Sequence, residues 1–231
     1  MLRGAFLLDG ERLAREALIS GSASALLVDE RRSDALQSLI YDAGNAGVEV
    51  VYLSTALLSR LSDTPSPQGV IAEASLPEQT RPDLLGSRAV VLDGVQDPGN
   101  VGTIIRTVDA AGCTGVLMTE TCADPYSMKA VRASMGSVFR VPVCVSQSAS
   151  EVAGVWKTNG TRVIMADSHG MNYASVSINE PWALIIGSEG RGVSPELAAL
   201  ADETISIPMR APVESLNAAV AASILIYAIN S

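Results

Sequence analysis

The second half of the chain carries six short extended runs, Ala89 to Leu92, Gly115 to Thr119, Val138 to Val143, Arg162 to Ala166, Trp182 to Ile186 and Thr204 to Pro208, separated by stretches with helical character. Strands that alternate with helices return to one sheet only through crossovers. The pattern therefore requires a mostly parallel sheet with helices on both faces. Ala183-Leu184-Ile185-Ile186 is apolar at every position and suits the centre of that sheet, buried on both sides. The last segment, Ala218 to Ile229, is apolar almost all round and suits burial in a bundle or a subunit interface.

The first part reads as a smaller α/β unit. Helical segments at Glu11 to Ile19, Asp34 to Ala43 and Thr55 to Leu61 alternate with extended ones at Ala25 to Val28, Val48 to Leu53 and Gly69 to Ala72. The stretch from Ser75 to Asp83 is polar, holds two prolines and has the composition of a linker. The expected division is residues 1–76, a linker at 77–87, and 88–231. A chain of 231 residues exceeds one domain of roughly 100 to 200 residues, and a 48% hydrophobic content can fill a sizeable core.

No apolar stretch reaches the ~20 residues of a membrane span, so the chain is expected to be soluble and cytoplasmic. Cys113, Cys122 and Cys144 are odd in number and form no CxxC pair, which speaks against a disulfide framework. With His169, the only histidine, their spacing is too wide and irregular for a zinc site, and no metal is expected.

Three polar loops follow strands and open helices. In Leu92 to Thr107, Asp97-Pro98-Gly99 is turn chemistry and Asn100 is a suitable N-cap for the following helix. On that helix Ile104, Val108 and Ala111 face a core, while Thr103 and Arg106 share a more polar face. An arginine near a helix start can meet a phosphate, although a solvated arginine explains the segment equally well. The loop Gly187-Ser188-Glu189-Gly190-Arg191-Gly192 follows the central strand; it is neither G-x-G-x-x-G nor a Walker A loop, and alone it reads as a tight strand-to-helix turn. Ser194-Pro195 then suits a helix start. The third segment, Ile205 to Met209 and on to Ser215-Leu216-Asn217, again puts polar side chains at a helix start, where capping alone could account for them. Together the three imply one crevice at the carboxyl edge of the sheet.

The net charge of −9 opposes a simple nucleic-acid binder, and neither part of the chain is basic. Any basic site is local. Only Lys129 and Lys157 of the 16 basic residues are lysines, so polyanion contact would rest on arginine.

In order and spacing, DGVQDPGNVGTIIRT, LIIGSEGRGV and ISIPMRAPVESLNAAVA resemble the three signature motifs of the SpoU, or TrmH-like, family of SPOUT RNA methyltransferases. The stretch from Ala123 to Gly136 looks like the family's pattern as well. The resemblance covers about residues 88 to 231. Phe6 to Leu13 and Ser62 to Val70 are similar to the ribosomal-protein-like substrate-binding domain of many members.

The resemblance implies a C-terminal trefoil knot behind a small RNA-binding domain, a homodimer formed through the C-terminal domain, and transfer of a methyl group from S-adenosylmethionine to a ribose 2′-hydroxyl. Carried over by motif, Gly187, Ile207, Leu216 and Ala166 would hold the cofactor. Arg106 would be the catalytic arginine, with Asn100, Glu189, Ser215 and Asn217 organising the site. A guanidinium stays protonated near neutral pH and makes a poor base, which favours a positioning role for Arg106. His169 lies outside the motifs. The expected substrate is ribosomal RNA, with transfer RNA as the alternative. A binding protein that has lost catalysis is a further reading, opposed by the intact Asn100, Arg106, Glu189, Ser215 and Asn217; loss of cofactor selectivity would point instead to an α/β protein for another nucleotide.

Overall fold

The structure is a computed structural model that describes residues 4–78, 85, 87–146, 148–179, 181–213 and 215–230. The expected linker at 77–87 lies largely outside the described residues. The chain begins with β1 (Ala5–Asp9), α1 (Glu11–Ile19), β2 (Ala23–Asp29), α2 (Gln37–Asn45), β3 (Glu49–Leu53), α3 (Thr55–Leu61) and β4 (Val70–Ser75). These make a four-stranded sheet in the order β1-β4-β2-β3, in which β4 runs antiparallel to both neighbours and β2 is parallel to β3. The strand β1 was not anticipated. Its five residues alternate between buried and half-buried, a signal too short to separate from a loop. The expected helix at Asp34 to Ala43 begins as a 3-10 segment at Glu30–Leu36, because Asp29 accepts from the Arg31 amide and starts the turn earlier.

The second sheet is built from β5 (Arg88–Asp93), β6 (Gly115–Thr119), β7 (Val143–Ser146), β8 (Arg162–Asn172), β9 (Trp182–Gly187) and β10 (Glu203–Ser206), all parallel, in the order β10-β8-β9-β5-β6-β7. Alternate residues of its central strands enter two separate cores. Val90, Leu92, Leu184 and Ile186 pack on one face with α4 (Pro98–Ala110) and α8 (Ala218–Ile229). Val91, Ala183 and Ile185 pack on the other with α6 (Ala149–Thr158) and α7 (Pro195–Ala198). From β5 the chain adds β6 and β7 on one side and then crosses to the other side of β5, where β8, β9 and β10 lie, and the loops after the adjacent strands β5 and β9 lead to helices on opposite faces, α4 on one and α7 on the other. A divergence of this kind opens a crevice at the strands' carboxyl ends. Among the described residues no helix is long and apolar enough to cross a membrane.

The segment Val138 to Val143, apolar apart from Arg140, does not form the expected strand. Ser137–Phe139 is a 3-10 turn and β7 starts at Val143. The cause lies in the other sheet: Val138, Phe139 and Val131 of α5 (Met128–Ser134) join Phe6, Leu8, Leu13 and Leu26 in one buried cluster. Phe6 stacks against both Tyr126 and Phe139, with ring centroids 5.2 Å and 5.8 Å apart. Burial and desolvation push the Tyr126 phenol up to about 12.

Arg132 also pairs with Asp63 through two hydrogen bonds, and Arg140 pairs with Glu16 at 2.8 Å. Exposed pairs of this kind contribute about 0–1 kcal/mol. Full burial of one valine or phenylalanine contributes about 1.5–3 kcal/mol. Apolar packing on α5 therefore dominates the attachment of the two sheets, and the pairs set its register.

Candidate active site

The crevice is lined by three loops that leave β5, β9 and β10. After β5, Asp97 caps α4 by accepting from the Asn100 amide at 3.0 Å, and Pro98 takes the first helical turn. This corrects the expectation that Asn100 is the cap. Pro98 at the first helical position sets the cap at Asp97, three residues earlier, and leaves the Asn100 side chain for other work. The Lys129 ammonium, 2.7 Å from Asp97, holds that carboxyl below its ordinary pKa, with the Asn100 amide adding to the effect.

After β9 the loop folds back on itself. Ser188 and Gly192 exchange backbone hydrogen bonds at 3.1 and 2.9 Å, and the Arg191 amide donates to the Ser188 hydroxyl. The fold-back is tight enough that a Cβ at Gly187 would stand 2.3 Å from the Gly192 carbonyl carbon. Gly187 is thus required by the loop's own backbone. The buried carboxylate of Asp93, at the end of β5, accepts from the Ser194 amide at 2.6 Å and ties this loop to its neighbour.

One residue from each loop meets at the centre. Asn100 donates its side-chain N–H to the Glu189 carboxylate, and Asn217 donates to the Asn100 side-chain carbonyl at 2.9 Å. Asn217 in turn accepts from the Ala219 and Val220 amides and caps α8. The direction is forced: a carboxylate only accepts, so Asn100 must present its N–H₂ to Glu189 and its oxygen to Asn217. Asn100→Asp places a second acceptor against Glu189 while removing the donor. We expect it to lower turnover more than Asn100→Ala does, with steady-state kinetics of the two variants as the check.

A cavity of about 380 Å³ opens beside this chain of amides. Its floor is apolar, from Ile186, Ile205 and Leu225, and its walls include Ala166, Gly187, Ile207 and Leu216. Glu189 and Ser215 also line it. The four expected cofactor residues and two of the expected catalytic ones therefore share a single cavity. Asp167 and Met209 line it too and were not anticipated. The strand expected to end at Ala166 runs on to Asn172, and Asp167 stands where β8 leaves its pairing with β9 and its register with β10 is interrupted; its carboxylate accepts from the His169 amide at 2.8 Å.

Arg106 stands apart. It is exposed on α4, does not line the cavity, and has no hydrogen-bond or ion-pair partner among the described residues. None of the three cysteines forms a disulfide among the described residues; Cys144 is buried and Cys113 and Cys122 are half-buried. Desolvation raises the pKa of Cys122 and Cys144. Among the described residues no group of three or more His, Cys, Asp or Glu side chains is placed to hold a metal ion.

Fold and site define a class: α/β proteins with a ligand cavity at the carboxyl edge of a parallel sheet, between adjacent strands whose loops lead to opposite faces. The chain belongs to the SpoU rRNA methylase family, whose model matches residues 87–227. Residues 2–72 match the model of the MRM3-like substrate binding domain. The 23S rRNA (guanosine(2553)-2′-O)-methyltransferase RlmP of Bacillus subtilis is 38% identical over 226 residues, covering 96% of this chain and 87% of the relative. The SpoU methyltransferase AviRb of Streptomyces viridochromogenes, solved with the cofactor AdoMet, has a TM-score of 0.85 at 30% identity, covering 98% of this chain and 89% of that one. An AdoMet-bound rRNA methyltransferase from Sinorhizobium meliloti has a TM-score of 0.84 at 29% identity, covering 98% and 87%.

Proposed function

We propose that the protein methylates a ribose 2′-hydroxyl in RNA, with S-adenosylmethionine as methyl donor and bacterial ribosomal RNA as substrate in the cytoplasm. Residues 88–231 carry the reaction and residues 1–76 contact the RNA. The observation that carries this reading is the Glu189-Asn100-Asn217 chain, which ties three loops together at the mouth of a part-apolar cavity.

The cavity suits the donor. Ile207 and Leu216 offer apolar surface for an adenine ring, Gly187 and Ala166 keep that wall thin, and Asp167 and Ser215 provide polar groups for a ribose. When bound, S-adenosylmethionine supplies an electrophilic methyl group. Glu189, held by Asn100, accepts a hydrogen bond from the target hydroxyl, and Ser215 and Asn217 fix the approach. Arg106 holds the phosphate beside the target nucleotide, so that positioning supplies much of the acceleration. When the hydroxyl oxygen takes the methyl group, the sulfonium–carbon bond would break to leave a neutral thioether and the hydroxyl proton would pass to the Glu189 carboxylate that already accepts its hydrogen bond; a guanidinium is unsuited to accept it, so Arg106 positions only.

We further propose a homodimer through α4 and α8, and a trefoil-knotted C-terminal unit. Val220, Ile224 and Tyr227 fall on one face of α8, with Val220 and Tyr227 about half exposed, and no charged residue interrupts it. A hydrogen bond between Thr107 and Ser223 at 3.0 Å sets this face beside Thr103 and Arg106 of α4. Light scattering is expected to give twice the chain mass for the protein and the single chain mass for a Val220→Glu/Tyr227→Glu variant; a monomeric parent protein sinks the dimer.

The reaction is tested by labelled methyl transfer from S-adenosylmethionine to unmodified bacterial ribosomal and transfer RNA in parallel, followed by nucleoside mass spectrometry. A 2′-O-methylated nucleoside from ribosomal RNA is expected. A base-methylated product, or none from either RNA, overturns the reading.

A further inference from the structure

An acidic protein that handles RNA has to concentrate its usable positive charge, and the placement of its cations follows a rule. In the C-terminal unit, Lys129, Arg132, Arg140, Lys157 and Arg162 are each bound to carboxylates, and Arg88 bonds the Asn230 side chain. The three cations left without a hydrogen-bond or ion-pair partner among the described residues are Arg106, Arg191 and Arg210. All three belong to the loops and helix of the active site.

In the N-terminal unit Arg15 is neutralised by Glu11 and Asp42. Arg12, Arg31, Arg32 and Arg60 are exposed and lack a partner among the described residues. These four also share one place. Strands β1, β2 and β3 run in the same direction, and Arg12 follows the carboxyl end of β1, Arg31 and Arg32 that of β2, and Arg60 that of β3 on α3. Facing acids are mostly engaged. Asp9 accepts from Ser62 and Thr64, Asp29 is buried under the Thr55 hydroxyl, and Asp63 is held by Arg132, which leaves Glu30 and Asp34 exposed. A cavity of about 290 Å³ lies between Arg31, Arg32, Thr55 and Ser59.

The two arginine groups are joined by α5. Lys129 and Arg132, three residues apart on that helix, share a face; one reaches Asp97 at the start of the catalytic helix, and the other reaches Asp63 at the arginine-rich sheet edge. We propose that the RNA strand runs from the active-site crevice along α5 to the carboxyl edge of the four-stranded sheet, where Arg12, Arg31, Arg32 and Arg60 hold its phosphates. The proposal rests on the RNA reading above and adds where the substrate lies. Guanidinium forks suit phosphate recognition, and neutralised cations elsewhere keep the rest of the surface repulsive to polyanions, which confines binding to this track.

The test uses the full chain and an unmodified transcript of bacterial 23S ribosomal RNA. Arg31→Gln/Arg60→Gln removes two exposed charges that have no hydrogen-bond or ion-pair partner among the described residues, and thermal unfolding is expected to match the parent; Arg32 is left intact because its side chain covers Gly69. Filter binding from about 0.05 to 0.2 M salt is expected to show a salt slope reduced by about 1.4 to 1.8, and binding about 25- to 60-fold weaker at ~0.1 M. S-adenosylmethionine affinity and turnover at saturating RNA stay at the parent value, and KM for RNA rises. The control Arg15→Gln/Lys157→Gln removes the same charge from ion pairs and is expected to bind RNA like the parent. An unchanged slope in the edge variant, or an equal loss in the control, overturns the track. If the parent still makes a 2′-O-methylated nucleoside in that case, the activity stands and only the docking surface falls.

Discussion

Arg106→Ala is expected to bind S-adenosylmethionine as the parent protein does and to transfer methyl groups to RNA about 10²–10³-fold more slowly. Cofactor binding survives because Arg106 does not line the cavity and touches no residue that does by hydrogen bond or ion pair among the described residues. Transfer fails because an exposed guanidinium with all of its donors available is the group on α4 suited to clamp a phosphate. Arg106→Lys keeps the charge but loses the planar fork, so it recovers only part of the rate. Calorimetric titration with the cofactor and single-turnover transfer to RNA separate the two effects. An alanine variant with full transfer rate removes Arg106 from the mechanism; one that loses cofactor binding as well assigns it a structural role instead.

The strands and helices with strong local patterns were legible in the sequence. The helices Glu11–Ile19, Thr55–Leu61 and Ala218–Ile229 and the strand Gly115–Thr119 stand where periodicity puts them. What was not legible depends on partners distant in the chain. Val138 to Val143 has the composition of a strand, yet its first residues turn to fill the core of the other sheet, and nothing local announces that partner. Asn100 fits a cap by type, but Pro98 moves the cap to Asp97 and releases Asn100 to join Glu189 and Asn217, residues 89 and 117 positions away. The polar linker marks a boundary between two units but carries no sign that Phe6, Val131 and Val138 share one buried cluster across it. The motifs identified the members of the cavity; only the fold revealed that Arg106 lies outside it.

Gly102→Val is expected to be the most damaging single substitution in α4. Gly102 lies in the middle of α4, where glycine costs about 1 kcal/mol of helix propensity relative to alanine, so on local grounds any side chain should help. The packing reverses that sign. A Cβ at position 102 would stand 2.1 Å from the Ala130 carbonyl oxygen and 2.8 Å from the Ala133 Cβ, so α5 must retreat by about an ångström before even alanine fits. The obstacle is helix backbone and cannot swing aside as a long side chain would. Overpacking of this kind costs about 1–3 kcal/mol, and valine adds a branched side chain that helices disfavour. A retreat of α5 also pulls Lys129 from Asp97, which caps α4, and Val131 from the core shared with the first sheet. We therefore expect Gly102→Ala to be destabilised by about 1 kcal/mol net and Gly102→Val by about 3 kcal/mol. At about 2–4 °C per kcal/mol for a chain of this size, Tm falls by roughly 6–12 °C for valine. Thermal unfolding checks the order: if alanine raises Tm, helix propensity outweighs the α4–α5 contact, and the close approach of these two helices is not what holds the bridge between the sheets.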